Sequence, residues 1–181
     1  MKKSKKKSSP ILSFVALLGV AFAIAAICMG FLPMITAAGK LTGVATGSLT
    51  GFEGAFGASA KAGDNPSWLI FANAATTDGM ITLASKQNIL IMMIVLAAGA
   101  ILSLFGTLLK GKFGKFVLVF GALALIAGGV MSFFSINLCG FESAETLGNV
   151  YSLGIGAILT GSFAIAGGLL ASVSGIAQLI K

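Results

Sequence analysis

The chain alternates between four long apolar stretches and intervening segments that hold its charged residues. A helix that crosses a bilayer core of about 30 Å needs roughly 20 apolar residues. Four stretches satisfy this length and predict transmembrane helices: residues 11–35, 89–109, 116–134 and 152–180. The remaining segments form the N-terminal tail and the three connections: residues 1–10, 36–88, 110–115 and 135–151.

The lysines are sorted by these segments. Nine of the twelve lysines lie on one side of the predicted spans: Lys2, Lys3, Lys5, Lys6, Lys7, Lys110, Lys112, Lys115 and Lys181. All five acidic residues lie on the opposite side: Glu53, Asp64, Asp78, Glu142 and Glu145. Because cytoplasmic flanks carry the excess of lysine and arginine, the pattern predicts a multi-pass plasma-membrane protein with both termini in the cytoplasm. Residues 36–88 and 135–151 then form two extracellular loops.

The N-terminal stretch has two competing interpretations. A lysine-rich start, an apolar core and the small residues 21–26 are also typical of a cleavable signal peptide. The residues before Cys28 faintly resemble a lipoprotein cleavage box, although Ile27 is too large for the position before the cysteine. The apolar stretch continues past Cys28, beyond the usual length of a signal-peptide core, and this favours a retained first span.

Small residues recur at helical spacing within the predicted spans. Such faces let helix backbones approach closely in a membrane. The candidate packing or oligomer contacts are Gly19, Ala23, Gly121, Gly128, Gly161, Gly168 and Gly175. Either the four helices use these faces to pack within one bundle, or one face also contacts another copy or another membrane protein.

The first extracellular loop has the most regular pattern. Residues 39–50 form three tetrads that each begin with glycine, and a helix would carry a costly glycine at every turn. An extended strand, or two strands with a bend, is therefore favoured. Residues 68–72 predict another strand, and Asp78-Gly79 predicts a tight hairpin leading into residues 80–83.

These patterns predict a four-helix transmembrane bundle with a small extracellular β-sheet formed by the first outer loop. The aromatic residues of that loop are the candidates for extracellular recognition: Phe52, Phe56 and Trp68. A single tryptophan close to a membrane is also typical of the interfacial aromatic belt or of a hydrophobic core.

The layout of cytoplasmic termini, four helices, a long first outer loop and a shorter second one resembles the claudin-like tetraspan architecture. The resemblance is topological and covers most of the chain. The Gly-Leu-Trp element and the two cysteines of the claudin first loop have no counterpart, since Ser67 precedes Trp68 and the loop contains no cysteine. The resemblance therefore implies an architecture, and no family residue is carried over.

Composition limits the function. The chain is 57% apolar and 9% charged, with a mean hydropathy of +1.04, so lipid is the expected solvent. The formal charge of +7 points to anionic inner-leaflet lipids rather than nucleic acid, because the lysines cluster beside apolar spans. All basic residues are lysine, and the soluble parts of the chain are short. Both features suit a bacterial protein.

Catalytic groups are scarce. The chain has no histidine and no carboxylate within a predicted span, so we expect no catalytic site, cofactor or metal. Two function classes remain. The favoured class is a structural or accessory membrane protein that binds itself or a partner. The alternative is a pore or transport subunit with a path lined by hydroxyl groups: Ser103, Thr107, Ser132, Thr160, Ser162, Ser172 and Ser174.

Overall fold

A computed structural model describes residues 10–39, 47–61, 63–71, 76–77, 80–109, 111–140, 145–146 and 149–180. In chain order its elements are α1 (Pro10–Met29), β1 (Pro33–Gly39), β2 (Gly47–Thr50), α2 (Gly51–Phe56), β3 (Ala58–Lys61), a 3-10 turn (Leu69–Phe71), β4 (Thr76–Thr77), β5 (Met80–Leu83), α3 (Gln87–Leu108), α4 (Lys112–Phe133), α5 (Ser135–Leu138), β6 (Glu145–Thr146), β7 (Asn149–Leu153) and α6 (Ile155–Ile180). The lysine-rich tail of residues 1–9 lies outside the described residues.

Four helices, α1, α3, α4 and α6, are long and apolar enough to cross a membrane. The predicted fold class of four long apolar helices with a small antiparallel sheet is thereby confirmed. The predicted span ends differ at several places, and α4 begins at Lys112, four residues earlier than predicted. Residues 33–35 belong to β1 rather than to the first helix, because Pro33 has no N–H to continue a helical ladder. Residues 152–153 end β7 before α6 begins.

The four long helices form a ring in which chain neighbours run antiparallel, with α6 packed between α4 and α1. The hydroxyl of Ser174 near the end of α6 donates to the Leu12 carbonyl at the start of α1, at 2.6 Å. Gly175 lies against the first turns of α4 near Lys115. We call this end of the bundle, which carries Lys112 and Lys115, the lysine end, and the opposite end, which carries the strands, the sheet end.

Large side chains from α3 and α4 fill the bundle between small residues of α1 and α6. Near the lysine end, Leu118 and Ala122 pack with Ala16 and Ala171. At mid-height, Leu125 packs with Ala23 and Ala100. Toward the sheet end, the apolar cluster gains larger residues from α3 and continues without a break into the strands: Met92, Leu96, Met34, Ile35, Leu49, Trp68 and Phe71. One core therefore joins the helices to the sheet end.

The strands form two antiparallel sheets. The first has four strands in the order β2-β1-β7-β6, and the second has three in the order β3-β5-β4. The second sheet comes wholly from the predicted first outer loop, whereas β6 and β7 of the first sheet come from the second connection, which the sequence did not predict. The central strand β1 directly continues α1, and β7 directly precedes α6, so the pairing of these two strands extends the packing of their helices.

The strands and the hairpin predicted within the first outer loop are confirmed in part. Of the glycine tetrads, Gly39 ends β1 and residues 47–50 form β2, while residues 40–46 lie outside the described residues. Thr77 pairs with Met80, as the predicted two-residue hairpin requires, although Asp78-Gly79 itself is also outside them. The strand predicted at residues 68–72 is wrong, because Leu69–Phe71 is a 3-10 turn.

Residues 51–56 form the short helix α2 directly after the predicted extended segment. Thr50 is the N-cap, and its hydroxyl accepts from the Glu53 N–H at 3.2 Å. The Glu53 carboxylate in turn accepts from the Thr50 N–H at 2.9 Å. This reciprocal capping box satisfies orphan N–H groups at the helix start, which explains why two glycines do not prevent the helix.

The packing predicts that extra volume inside the ring is costly. Ala122→Leu places a large side chain at a fully buried position beside Gly168, and we expect it to lower the free energy of unfolding by about 1–3 kcal/mol. Ala127→Leu makes the same change at an exposed position of α4 and should be nearly neutral. Thermal unfolding of both variants in detergent measures the difference, and equal effects would contradict this packing.

Candidate functional site

The seven small residues predicted as packing or oligomer contacts all lie at helix interfaces inside the chain. Gly19 of α1 faces α6: a Cβ on it would lie 2.9 Å from the Gly167 carbonyl oxygen. Ala23, one turn further on, is fully buried. On the opposite side of the ring, Gly121 of α4 lies against Ser103 of α3.

The other contacts follow the same pattern along α4. Gly128 of α4 lies against Leu96 of α3. Three glycines of α6 pack against α4: Gly161, Gly168 and Gly175. Of the two interpretations, packing within one bundle accounts for all seven residues. The faces that sequence alone left open to another subunit are occupied by neighbouring helices of the same chain.

The outward surface of the ring has the opposite character. Large apolar side chains lie exposed along its length, among them Ile11, Phe14, Leu17, Ile101, Phe105, Phe116, Phe120, Leu123, Leu169 and Val173. Soluble monomers rarely expose contiguous apolar surface of more than a few hundred Å². Large residues outside and small residues inside are the arrangement expected where lipid is the solvent and close helix packing holds the bundle together.

The hydroxyl groups of the alternative function class are dispersed. Ser132 is buried between α4 and α6 and donates to the Ala157 carbonyl at 3.0 Å. Thr107 and Ser172 donate to carbonyls of their own helices, and Ser162 is exposed. Ser174 binds Leu12, as described above. Ser103 and Thr160 are fully buried with no hydrogen-bond partner for their hydroxyls.

The centre of the ring is filled rather than open. Leu118 and Leu125 of α4 are fully buried there and pack against alanines of α1. No placement among the described residues favours a pore.

The sheet end carries three phenylalanines that form an aromatic ladder: Phe31, Phe52 and Phe56. The rings of Phe31 and Phe52 stack with centroids 4.0 Å apart, and those of Phe52 and Phe56 lie 6.2 Å apart. Phe52 in the middle is half-buried, whereas Phe56 is 68% exposed. Helix α2 therefore presents a rigid aromatic edge where α1 ends, and two of the three predicted recognition residues belong to it.

Beside this ladder, an apolar groove of about 140 Å³ opens between α1 and α3. Its lining consists of Ile27, Phe52, Phe56, Met93, Ile94 and Ala97. Of the four neighbouring helix pairs in the ring, α1 and α3 contact each other least, and the groove lies in the resulting gap.

Trp68, the third predicted recognition residue, does not belong to this surface. Its side chain is only 4% exposed and packs in the apolar cluster beneath the sheets. This placement does not support the recognition role predicted for Trp68, because its side chain offers almost no surface to a partner. It fills the core between the strands and the helix ends.

Sequence reasoning missed Phe31, Met93 and Ile94 as parts of the site. In the sequence, Phe31 lies near the end of the first predicted span, and Met93 and Ile94 lie within the second predicted span like any other apolar residues. The available signal was the capping box at Thr50 and Glu53, which starts a helix and so places Phe52 and Phe56 one turn apart on the same face.

The described part of the chain contains no group of three or more metal-ligating side chains. Cys139, which follows α5, is buried in the sheet-end cluster. Burial raises the pKa of the Cys139 thiol to about 11, against a smaller opposing effect of the positive charge on Lys86. The thiol is therefore protonated and unreactive at neutral pH.

Neither a scan against protein-family models nor a search of curated proteins found a match to this chain. The resemblance to claudin-like architecture accordingly stays a prediction.

The buried thiol gives a pH prediction. In a Cys28→Ala variant, labelling of Cys139 by a maleimide should be slow at neutral pH and should rise about tenfold per pH unit, because only the thiolate reacts. The rate should keep rising toward about pH 11 rather than levelling off near the ordinary value of 9.0. An exposed cysteine introduced by Ser59→Cys into a background lacking both native cysteines is the control. A plateau for Cys139 at the pH of that control would contradict the burial.

Proposed function

We propose that this chain is a non-enzymatic integral membrane protein of the plasma membrane, structural or accessory in role. Its lysine end and both termini lie in the cytoplasm, and its sheet end faces outward. It associates laterally with another membrane-embedded polypeptide, a second copy or a different protein, through the aromatic ladder and the α1–α3 groove.

The apolar groove beside the exposed Phe56 ring is the observation that supports this proposal. Interfaces favour aromatic side chains at their centres, where a rigid ring buries much area at little conformational cost. The groove offers the complementary feature, a pocket lined only by apolar side chains. A partner side chain inserted there contacts both Met93 of α3 and Ile27 of α1.

The internal packing supports the same location. The seven small residues that would let a partner helix approach closely are already used by helices of this chain. A partner therefore meets large side chains on much of the described surface of the ring, and the gap between α1 and α3 is a concave apolar feature within it. The sheet end lies directly above that gap, so α2 can contact a partner outside the hydrocarbon region.

The sorted charges support the orientation. Lys112 and Lys115 lie at the lysine end, while Lys61 and Asp64 lie at the sheet end. The positive-inside rule places the lysine end in the cytoplasm. The lack of histidine and of any carboxylate within the four long helices supports a non-enzymatic role.

Cysteine labelling in intact cells tests the orientation. In a background lacking both native cysteines, an exposed cysteine from Ser59→Cys in β3 should react with a membrane-impermeant maleimide added outside. A cysteine from Lys112→Cys should react only after permeabilisation, because the bilayer shields it. The reverse result would invert the proposed topology, and equal labelling of both sites in intact cells would argue against a spanning bundle.

Gentle extraction followed by native mass measurement tests the association. The wild-type chain should appear as a defined multimer or with a second polypeptide. Phe56→Ala should weaken that complex by about 2 kcal/mol, a factor of about 30 in Kd, because the exposed ring is lost from the contact.

Phe134→Ala is the matched control for this measurement. Phe134 is 57% exposed and also lies at the sheet end, but it follows α4 and does not line the groove. Its removal should leave the complex intact. A bare monomer for the wild-type chain, or equal effects of the two variants, would overturn the proposed interface.

A further inference from the structure

The first turns of α4 combine positive charge with exposed aromatic surface at the lysine end. Lys112 is exposed and Lys115 is half-buried. Beside them, Phe113 is 73% exposed, and Phe116 and Phe120 are exposed as well. This combination, which we call the lysine–phenylalanine face, is separate from the groove at the sheet end.

The positive charge of this face has no counter-ion within the sequence segments at that end. All five acidic residues fall in the two connections that form the sheet end. The first turn of α4 contains no acidic residue, although a helix start favours carboxylates and disfavours lysine. The positive charge of Lys112 and Lys115 is therefore available to attract an anion from outside the chain.

The three phenylalanines form one stripe. Phe113, Phe116 and Phe120 are spaced by three and four residues and so lie on the same side of α4. Leu123 extends the stripe and is also exposed. At 1.5 Å per residue, the stripe from Phe113 to Leu123 is about 15 Å long, which is half the thickness of a hydrocarbon core of about 30 Å. Its length therefore matches one leaflet.

We propose that the lysine–phenylalanine face binds one anionic phospholipid, with the phosphate on Lys112 and Lys115 and an acyl chain along the stripe of Phe113, Phe116 and Phe120. This inference rests on the proposed membrane location and adds a specific lipid site to it. Charge complementarity selects an anionic headgroup, and the apolar stripe that continues from the lysines selects a lipid over a free phosphate. Lys112 lies four residues before Phe116, so charge and ring adjoin on one helix face.

Native mass measurement of the detergent-purified full chain tests the proposal, with phosphatidylglycerol and phosphatidylcholine of equal chain length as probes. The wild-type chain should retain one phosphatidylglycerol in preference to phosphatidylcholine. Lys112→Gln combined with Lys115→Gln should reduce that preference by roughly an order of magnitude or more, as expected for the loss of two lysine contacts.

Two controls separate this site from a general attraction of lysine to anionic lipid. Lys40→Gln combined with Lys61→Gln removes the same charge from the first outer loop and should leave retention unchanged. Replacing Lys2, Lys3, Lys5, Lys6 and Lys7 with glutamine should also leave the single retained lipid. If only the replacement of the five tail lysines abolishes retention, the lipid is bound by the tail and the proposal is overturned.

A matched pair of phenylalanine variants tests the apolar half of the site. Phe116 is the fifth residue of α4 and Phe14 the fifth residue of α1, and both are exposed near the lysine end. Phe116→Ala should reduce retention of phosphatidylglycerol while Phe14→Ala does not. Glycerol phosphate should fail to displace the lipid. Displacement by glycerol phosphate, or equal effects of the two phenylalanine variants, would contradict a lipid site on α4.

The result is independent of lateral association. Retention is measured on monomers and multimers alike, so a chain that is monomeric yet holds the lipid supports the lipid site while overturning the proposed partner interface. A multimer that shows no preference for phosphatidylglycerol over phosphatidylcholine supports the partner interface and overturns the lipid site.

Discussion

Close approach of helix backbones at small residues is the constraint on which this structure depends. A Cβ on Gly19 or Gly121 would lie within 3 Å of atoms on a neighbouring helix, which real Cβ atoms essentially never do. The ring can hold its present spacing only because those positions lack a side chain. Van der Waals packing at such faces, together with buried hydrogen bonds such as Ser132 to Ala157, holds neighbouring helices together.

The sheet end follows from the same constraint. Gly156 at the start of α6 lies against the backbone of Leu32, where the chain leaves α1, and Gly154 lies against Pro33. Since α1 and α6 are in close contact, the strands that extend them, β1 and β7, are brought side by side and pair over five residues. The two connections thus build one sheet although more than a hundred residues separate these strands in sequence.

The described charged side chains lie at the two ends of the bundle, outside the middle of the four long helices. The ring itself presents apolar side chains outward, and each end of the described structure adds one distinct surface: the groove and aromatic ladder at the sheet end and the lysine–phenylalanine face at the other. Phe56 and Phe113 are both largely exposed. Phe56 lines an apolar groove, and Phe113 lies next to Lys112 in the sequence of α4.

The sequence by itself determined the four long apolar helices, because length and hydropathy are local properties, and it predicted the small residues on which they pack. It also predicted extended structure at Gly47–Thr50 and the pairing of Thr77 with Met80. Only the tertiary structure decided that all seven packing residues are used within the chain, that Trp68 is core, and that Phe52 and Phe56 meet Phe31 beside a groove. Those outcomes depend on which helix faces meet and on contacts between distant segments, and a linear pattern carries no information about either.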